Sequence, residues 1–531
     1  MRTRTIYRLL LATGAIVSIS MFSCSKDLDK TNPNNVGLDQ SFKTAADLQT
    51  AVNAAYSSIK SVSLVGREWF FVHDLRSDDV ATGGSQLEAP RGQILNGGTQ
   101  PSNPVMNSVW NGLYTTIHRA NTTILKAPGV TDNPALRDRI VAEAKFLRAW
   151  CYYDLVTMWG KVPVYTTPVA SFADAQPRAA VADIYKQIIQ DLKDAAAGLP
   201  GKSGYGASDQ GRVTNAAANA MLGRAYMQSG DYASAKAALL LIPTSGADGY
   251  SLTSRWLDNF EEEHEFNGES ILEVIFVDKQ TANFNWGGQS VGDVLNGNTE
   301  LTTVRNQEYC PVAWRNLIPS DKFINEFEYV GFNNVTKTDP RLSWTIYQSG
   351  DTYNNGTQTL TDGDQNGNGS TFHGAAKKMS WRKFMLMYKM SKSDMGFHPG
   401  GNNQRLIRYA DVLLMLAECE NELGNTVAAV GYLNQVRDRP DVMMPHYPTL
   451  QFPTDTKDHV TQAIMHERSV ELGDEEVRNI DIMRWRIKGY YPSLAPEPLS
   501  YFQKNRDELL PIPQAELDNN PKVTGDQNPG Y

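Results

Sequence analysis

The chain has 531 residues, 41% of them hydrophobic and 21% charged, which is enough for a substantial core in one large domain or several. Its formal net charge is −9 with no basic patch, which excludes a nucleic-acid backbone as partner. No close pair among the four cysteines has metal or redox spacing, and the eight histidines show no ligand spacing.

At the N-terminus, Arg2, Arg4 and Arg8 precede an apolar run from Leu9 to Phe22. This is a signal peptide over residues 1–23, too short and wrongly flanked for a retained span. It closes on Met21-Phe22-Ser23-Cys24, which resembles the lipobox of bacterial lipoproteins. That resemblance implies cleavage before Cys24 and lipidation of Cys24 itself, anchoring the protein to a bilayer without a membrane-spanning helix. Residues 24–43, charged and then rich in Asn and Pro, read as a tether. No later run is apolar over the roughly 20 residues a span needs.

Helical spacing begins at Thr44 and runs to Ser61 through Leu48, Val52, Ala55, Tyr56 and Ile59. After a mixed stretch from Trp69 to Leu75 and a Gly-rich loop from Ser77 to Pro104, helices are expected over Met106–Leu125, Leu136–Trp159 and Ala180–Ala197. From Asn215 to Pro243 two helices are joined by Ser229-Gly230-Asp231, a stop followed by a start. Leu222-Gly223, Tyr226, Gly230, Tyr232, Ala235 and Leu239 resemble a tetratricopeptide (TPR) repeat, whose small residues let paired helices approach closely. A last pair is expected at Arg405–Leu423 and Thr426–Val436, followed by one long helix from Asp458 to Lys488. Between these hairpins the interval 245–403 differs: it holds one strand-like run, Ile271 to Val277, among Asn, Gly, Thr and aromatic residues. An irregular segment of this length is usually functional.

Several blocks together resemble the SusD/RagB family of outer-membrane nutrient-binding lipoproteins. They are Val109-Trp110-Asn111-Gly112-Leu113-Tyr114 with Arg119-Ala120-Asn121, Ala142 to Trp150, Gly160-Lys161-Val162-Pro163 and Gly211-Arg212-Val213-Thr214. They continue with Asp339-Pro340-Arg341, Ile407 to Val412, and Glu467-Arg468, Glu471-Leu472, Arg478, Asp481 and Arg484-Trp485. Glu476 and Asn479 stand where the last motif usually has Gly and an aromatic. The resemblance implies a mainly α fold: a scaffold of about four TPR-like helical hairpins, over 44–243 and 405–490 of one domain spanning 44–531, carrying a ligand-binding insertion at 245–403. It also implies a SusC-like TonB-dependent β-barrel transporter as partner, over which the lipoprotein sits as a lid, with oligosaccharides or, in some members, peptides as cargo. Its expected place is the outer membrane, exposed at the cell surface.

For ligand contact, the aromatics among turn residues matter most, because sugar rings stack on Trp and Tyr. Trp286, between Asn285 and Gly287-Gly288, leads, followed by Tyr309 and Trp314 flanking Cys310-Pro311. Core packing competes for Trp286 and is the leading reading for Tyr309 and Trp314. Asn283, Phe284 and Gln289 are polar or edge contacts. The loop 77–104 makes an opposite wall with no aromatic, only Arg91, Gln93, Asn96 and Asn103, a polar cradle that also suits a peptide or an anionic glycan.

No cofactor is expected. Asp362, Asp364 and Asn366, with Gly367 in the sixth place, match the start of a calcium loop, but its twelfth position is His373 instead of Glu. An Asn/Asp/Gly surface turn is the better reading. Glu467, Glu471 and Glu475, four apart, form a charge ladder of the surface or interhelix kind. No HExxH or GxSxG motif occurs, and a pair of carboxylates picked from 59 acidic residues carries no weight for a glycoside hydrolase. The chain is therefore expected to bind, not to catalyse; a glycoside hydrolase is the less favoured alternative, and a generic TPR adaptor docking peptides on its concave face is a further one.

Overall fold

The computed structural model describes residues 42–83, 87–277, 302–330, 335–372, 375–395 and 400–531. Among the described residues, helices in chain order carry the scaffold. They are α1 (Ala45–Ile59), α2 (Glu68–Leu75), α3 (Ala89–Leu95), α4 (Pro104–Lys126), α5 (Pro134–Trp159), α6 (Val181–Gly198), α7 (Asn215–Gln228), α8 (Tyr232–Leu239) and, after the insertion's short helix α9 (Arg305–Tyr309), α10 (Tyr409–Glu422). The C-terminal part adds α11 (Thr426–Arg437), α12 (Lys457–Leu472) and α13 (Arg478–Ile487). Each long scaffold helix packs on the next, α4 on α5, α5 on α6, α6 on α7, α7 on α8 and α8 on α10, which packs on α11 and α12. The result is a mainly α, TPR-like stack.

Local chemistry explains the starts. Thr44 and Asp47 form a capping box at α1. Asn103-Pro104 and Asn133-Pro134 open α4 and α5 with a side-chain cap and a proline at the first helical position. Asp231 accepts from the Ser234 N–H at 3.0 Å to start α8. A Cβ on Gly223 would lie 2.5 Å from Leu239 Cδ2, so the α7–α8 contact needs the small residue the repeat pattern assigns there.

Within 77–104, expected as loop, lie a short strand and α3, and the insertion holds several two-stranded pairs where one strand was expected; three further expectations change. Trp69 to Leu75 is helical and fully buried, because nearly every side chain in it faces packed helices. Arg405–Arg408 is not helix but strand: β4 (Gln404–Arg408) pairs antiparallel with β2 (Ser270–Val274) and then runs directly into α10. The single helix over 458–488 is broken after Gly473, because Asp474 and Glu476 adopt φ of 65° and 57°, a left-handed conformation that a right-handed helix cannot contain. Glu476 thus occupies, without being glycine, the position where glycine is usual. Its carboxylate is held there by Arg305 and by Gln404 Nε2 at 2.8 Å.

The charge ladder of α12 is neither on the surface nor confined to one helix pair. It lies at the centre of a buried ion network. Arg341 Nη1 donates to Glu467 (2.7 Å) and Glu471 (2.9 Å), and Arg437 to Glu467 at 2.7 Å. Arg408 binds Glu269 (2.8 Å), Glu471 (2.6 Å) and Glu475 (2.7 Å), while Arg439 binds Glu269 at 2.6 Å and Glu471 at 3.1 Å. Lys383 closes on Glu475 at 2.8 Å and Asp339 on Arg341 at 2.7 Å. Residues from the C-terminal scaffold half and from the insertion meet here, so the network sets their mutual placement.

Burial alone would raise these carboxyl groups, but the guanidinium groups outweigh it. Arg439 and Arg408 hold Glu269 at about 2, Arg341 and Arg437 hold Glu467 at about 2, and Glu471 sits well below the carboxylate range. Since these pKa values are lower folded than unfolded, their stabilisation is complete above about pH 4.5 and is lost as pH falls toward 2. Melting temperatures measured at pH 6, 4 and 3 should be high, slightly reduced and sharply reduced, in that order.

Candidate functional site

Loop 77–104 contributes a short strand, β1 (Val80–Thr82), that pairs antiparallel with β3 (Leu317–Pro319) of the insertion, with Val80 opposite Pro319 and Thr82 opposite Leu317. The pairing is anchored from below by Asp78, which accepts from Arg478 Nε and Nη2 at 2.7 and 3.0 Å and also holds Lys322. Beyond β1 the Gly83 N–H donates to Asn316 O at 3.1 Å, and Gly83 O accepts from the Asn368 N–H at 2.6 Å. Three stretches distant in sequence, 80–83, 309–319 and 362–368, therefore meet in one seam.

Trp314 sits in that seam and is half-buried. The residues on either side of it are pinned. Ala313 O accepts from Asn366 Nδ2, and Arg315, buried with φ of 51°, donates from Nη1 to the main-chain oxygens of Asn366 (2.6 Å) and Asn368 (2.5 Å). Arg315 also donates to Ser380 Oγ at 2.6 Å and Met379 O at 2.8 Å. It has no carboxylate partner in these bonds, and burial pulls its pKa down to about 10. This arginine works as a hydrogen-bonding clamp that fixes the backbone presenting Trp314.

The other proposed contacts divide. Tyr309 is fully buried, its hydroxyl donating to Asp74 Oδ2 at 2.7 Å and its ring edge-on to Phe70 and Phe71 at 5.3 and 5.4 Å. It is core, not a ligand surface. Arg91 is likewise withdrawn from ligand contact: it donates to both Glu68 oxygens at 2.8 Å, pairs with Glu88 and lies 4.2 Å over the Phe71 ring. Burial disfavours its charge, but the surrounding Glu68, Glu308 and Glu88 carboxylates raise its pKa further. Asn103 caps α4, while Gln93 and Asn96 remain exposed. Asn283, Phe284, Trp286 and Gln289, and Cys24, lie outside the described residues.

The calcium-like stretch is a stapled turn. Asp362 accepts from Ser349 Oγ, Asp364 from Lys392 Nζ (2.6 Å) and Thr361 (2.6 and 2.9 Å), and the Asn366 amide faces Ala313. A cation here would have to displace the Lys392 ammonium, so these residues are poorly matched to calcium. Adding a chelator should leave the melting temperature unchanged. Elsewhere Asp258, Glu261 and His264 bring donor atoms within 4.8 Å, but Arg255 already holds both carboxylates.

Sequence reasoning missed Arg315, Asn316 and Asn368. The nearest one-dimensional signals were Pro311 beside Trp314 and the Asn/Asp/Gly run 362–368, which mark turns but not their partners.

Comparison with known proteins places this architecture. A sequence profile described as "SusD family" matches residues 268–531, and one described as "Starch-binding associating with outer membrane" matches residues 28–227. The chain is 27% identical to "SusD-like protein P2" of Formosa agariphila over 525 residues, covering 98% of this chain and 99% of that one. A solved "Laminarin binding SusD-like protein" is similar with a TM-score of 0.71 and 25% identity over 92% of this chain and 100% of that chain. Surface glycan-binding protein A from Bacteroides thetaiotaomicron in complex with laminarihexaose is similar with a TM-score of 0.69 and 21% identity, over 92% and 100%.

Proposed function

The chain belongs to the SusD/RagB family, and from that premise we propose that it is a non-enzymatic surface lipoprotein that binds a neutral oligosaccharide at the Trp314 seam. The observation that carries this reading is the half-buried Trp314, set on backbone that Arg315 and Asn366 pin into a seam of main-chain and amide polar groups. A flat apolar face with polar groups around it suits a sugar ring, which is apolar on its faces and hydroxylated at its rim. Two structural relatives carry laminarin or laminarihexaose in their descriptions, so β-glucans are the first ligands to try. Trp286, Asn283, Phe284 and Gln289 remain proposed contacts from the sequence. Affinity electrophoresis of soluble protein starting at Ser25, against gels containing laminarin, other neutral glycans or none, tests the reading. Retardation by at least one glycan, with no release of reducing ends, is expected; retention of peptides alone would transfer the site to the peptide alternative.

The bound glycan is delivered, in this reading, to a SusC-like TonB-dependent β-barrel transporter that the lipoprotein covers as a lid. Acylation at Cys24 supplies the outer-membrane anchor; no helix among the described residues is long and apolar enough to cross a membrane. Cys24→Ala should shift the protein from the membrane pellet to the soluble fraction while leaving glycan retardation of the purified chain intact.

A further inference from the structure

A cleft of about 310 Å³ opens between the α6–α7 connection and β2, built from residues that do not take part in the Trp314 seam. That volume is at the lower limit of small-molecule sites. Its floor is Tyr250, buried beneath the Lys202 ammonium, which lies 4.2 Å from the ring and donates to Gly249 O at 2.5 Å. Its walls include the half-buried rings of Tyr205 and Phe266.

Three features set this cleft apart from a packing gap. Phe266 has φ of 55°, a left-handed conformation that is strained for a bulky residue. The strain is held by its N–H, which donates to Glu273 Oε1 at 2.9 Å, and it sets the ring at the wall. Gly211, with φ of 86°, lines the cleft where no side chain fits, since a Cβ would lie 2.2 Å from Ile275 Cδ1 and 3.2 Å from Phe266 Cε1. Finally, Ser270 is part of the lining, and its Oγ is buried without a hydrogen-bond partner in the protein, so a side-chain rotation into the cleft would let a ligand supply one.

Charge decides the ligand class. Arg212 is neutralised by Asp209 (2.6 Å) and Glu143 (2.8 Å), and the Glu273 carboxylate is paired with Arg405 Nε at 3.7 Å and accepts from the Phe266 N–H and Asn403 Nδ2 (2.8 Å). The Lys202 ammonium is already occupied by the Tyr250 face and the Gly249 carbonyl. Nothing in this lining favours a net charge, whereas aromatic faces beside an unpaired hydroxyl favour a molecule with apolar faces and many hydroxyls. We infer that this cleft is a second binding site, for a neutral polyhydroxylated molecule of about monosaccharide size.

Saturation-transfer NMR on the soluble chain tests the inference, with glucose, galactose, mannose, xylose and N-acetylglucosamine as separate probes and glucuronate as the charged control. Exposed Ala207 lines the cleft, so Ala207→Trp plugs it without touching the core. At least one neutral sugar should give a signal that disappears in Ala207→Trp, falls about fivefold in Ser270→Ala and persists in Trp314→Ala. The inference is overturned if no neutral sugar registers, if glucuronate binds as well as they do, if the signal survives both cleft variants, or if it vanishes with Trp314→Ala. The last result would leave the seam reading standing and assign the sugar to it.

Discussion

Replacing Glu471 with alanine should remove about 3–5 kcal/mol of stability, a large part of what a typical domain possesses. The carboxylate accepts from Arg408, Arg341, Arg439 and the Trp256 indole N–H, all from buried side chains. Alanine would leave these guanidinium groups short of counter-charge in a site from which water is excluded, and an uncompensated buried charge costs far more than a lost surface pair. Urea denaturation of wild type, Glu471→Ala and Glu471→Gln should give midpoints in the order wild type, then glutamine, then alanine. The amide retains an acceptor oxygen but no charge, which is why it falls between. An alanine variant melting within 2 °C of wild type would contradict a hub role for Glu471.

Trp314→Ala is expected to weaken glycan binding by roughly ten- to a hundredfold, the size of a buried aromatic anchor at an interface, about 1.5–3 kcal/mol. Its melting temperature should move little, because the backbone there is fixed by Arg315 and Asn366 and not by the indole. Calorimetric titration of both proteins with the glycan selected by affinity electrophoresis checks this. Equal affinities would remove Trp314 from the site. Arg315→Ala should instead lower both affinity and melting temperature, since it releases the turn that presents the indole.

How far the sequence carried these conclusions differs between elements. The α7–α8 hairpin was legible down to its turn because its signals are local: an Asp cap, a glycine stop and small residues at helical spacing. The strand β4 was not, because Arg405 to Arg408 becomes extended only by pairing with β2, more than a hundred residues earlier. The break after Gly473 was hidden for a related reason. Glu and Asp are ordinary helix residues, and their left-handed conformation follows from partners such as Arg305 that periodicity does not reveal. Tyr309 and Trp314 share one turn signal beside Cys310-Pro311 and Arg91 comes from the polar loop; in the structure Trp314 is half-buried, while Tyr309 and Arg91 are core. Exposure separates them. It depends on the pairing of β1 with β3, which no local pattern encodes.

Hydrogen–deuterium exchange with and without bound glycan tests most directly that the seam is where ligand docks. Saturating glycan should slow exchange in peptides covering 309–319 and 362–368, and leave the α7–α8 hairpin at its unliganded rate. Protection confined to the helical scaffold, with the seam unchanged, would contradict the assignment.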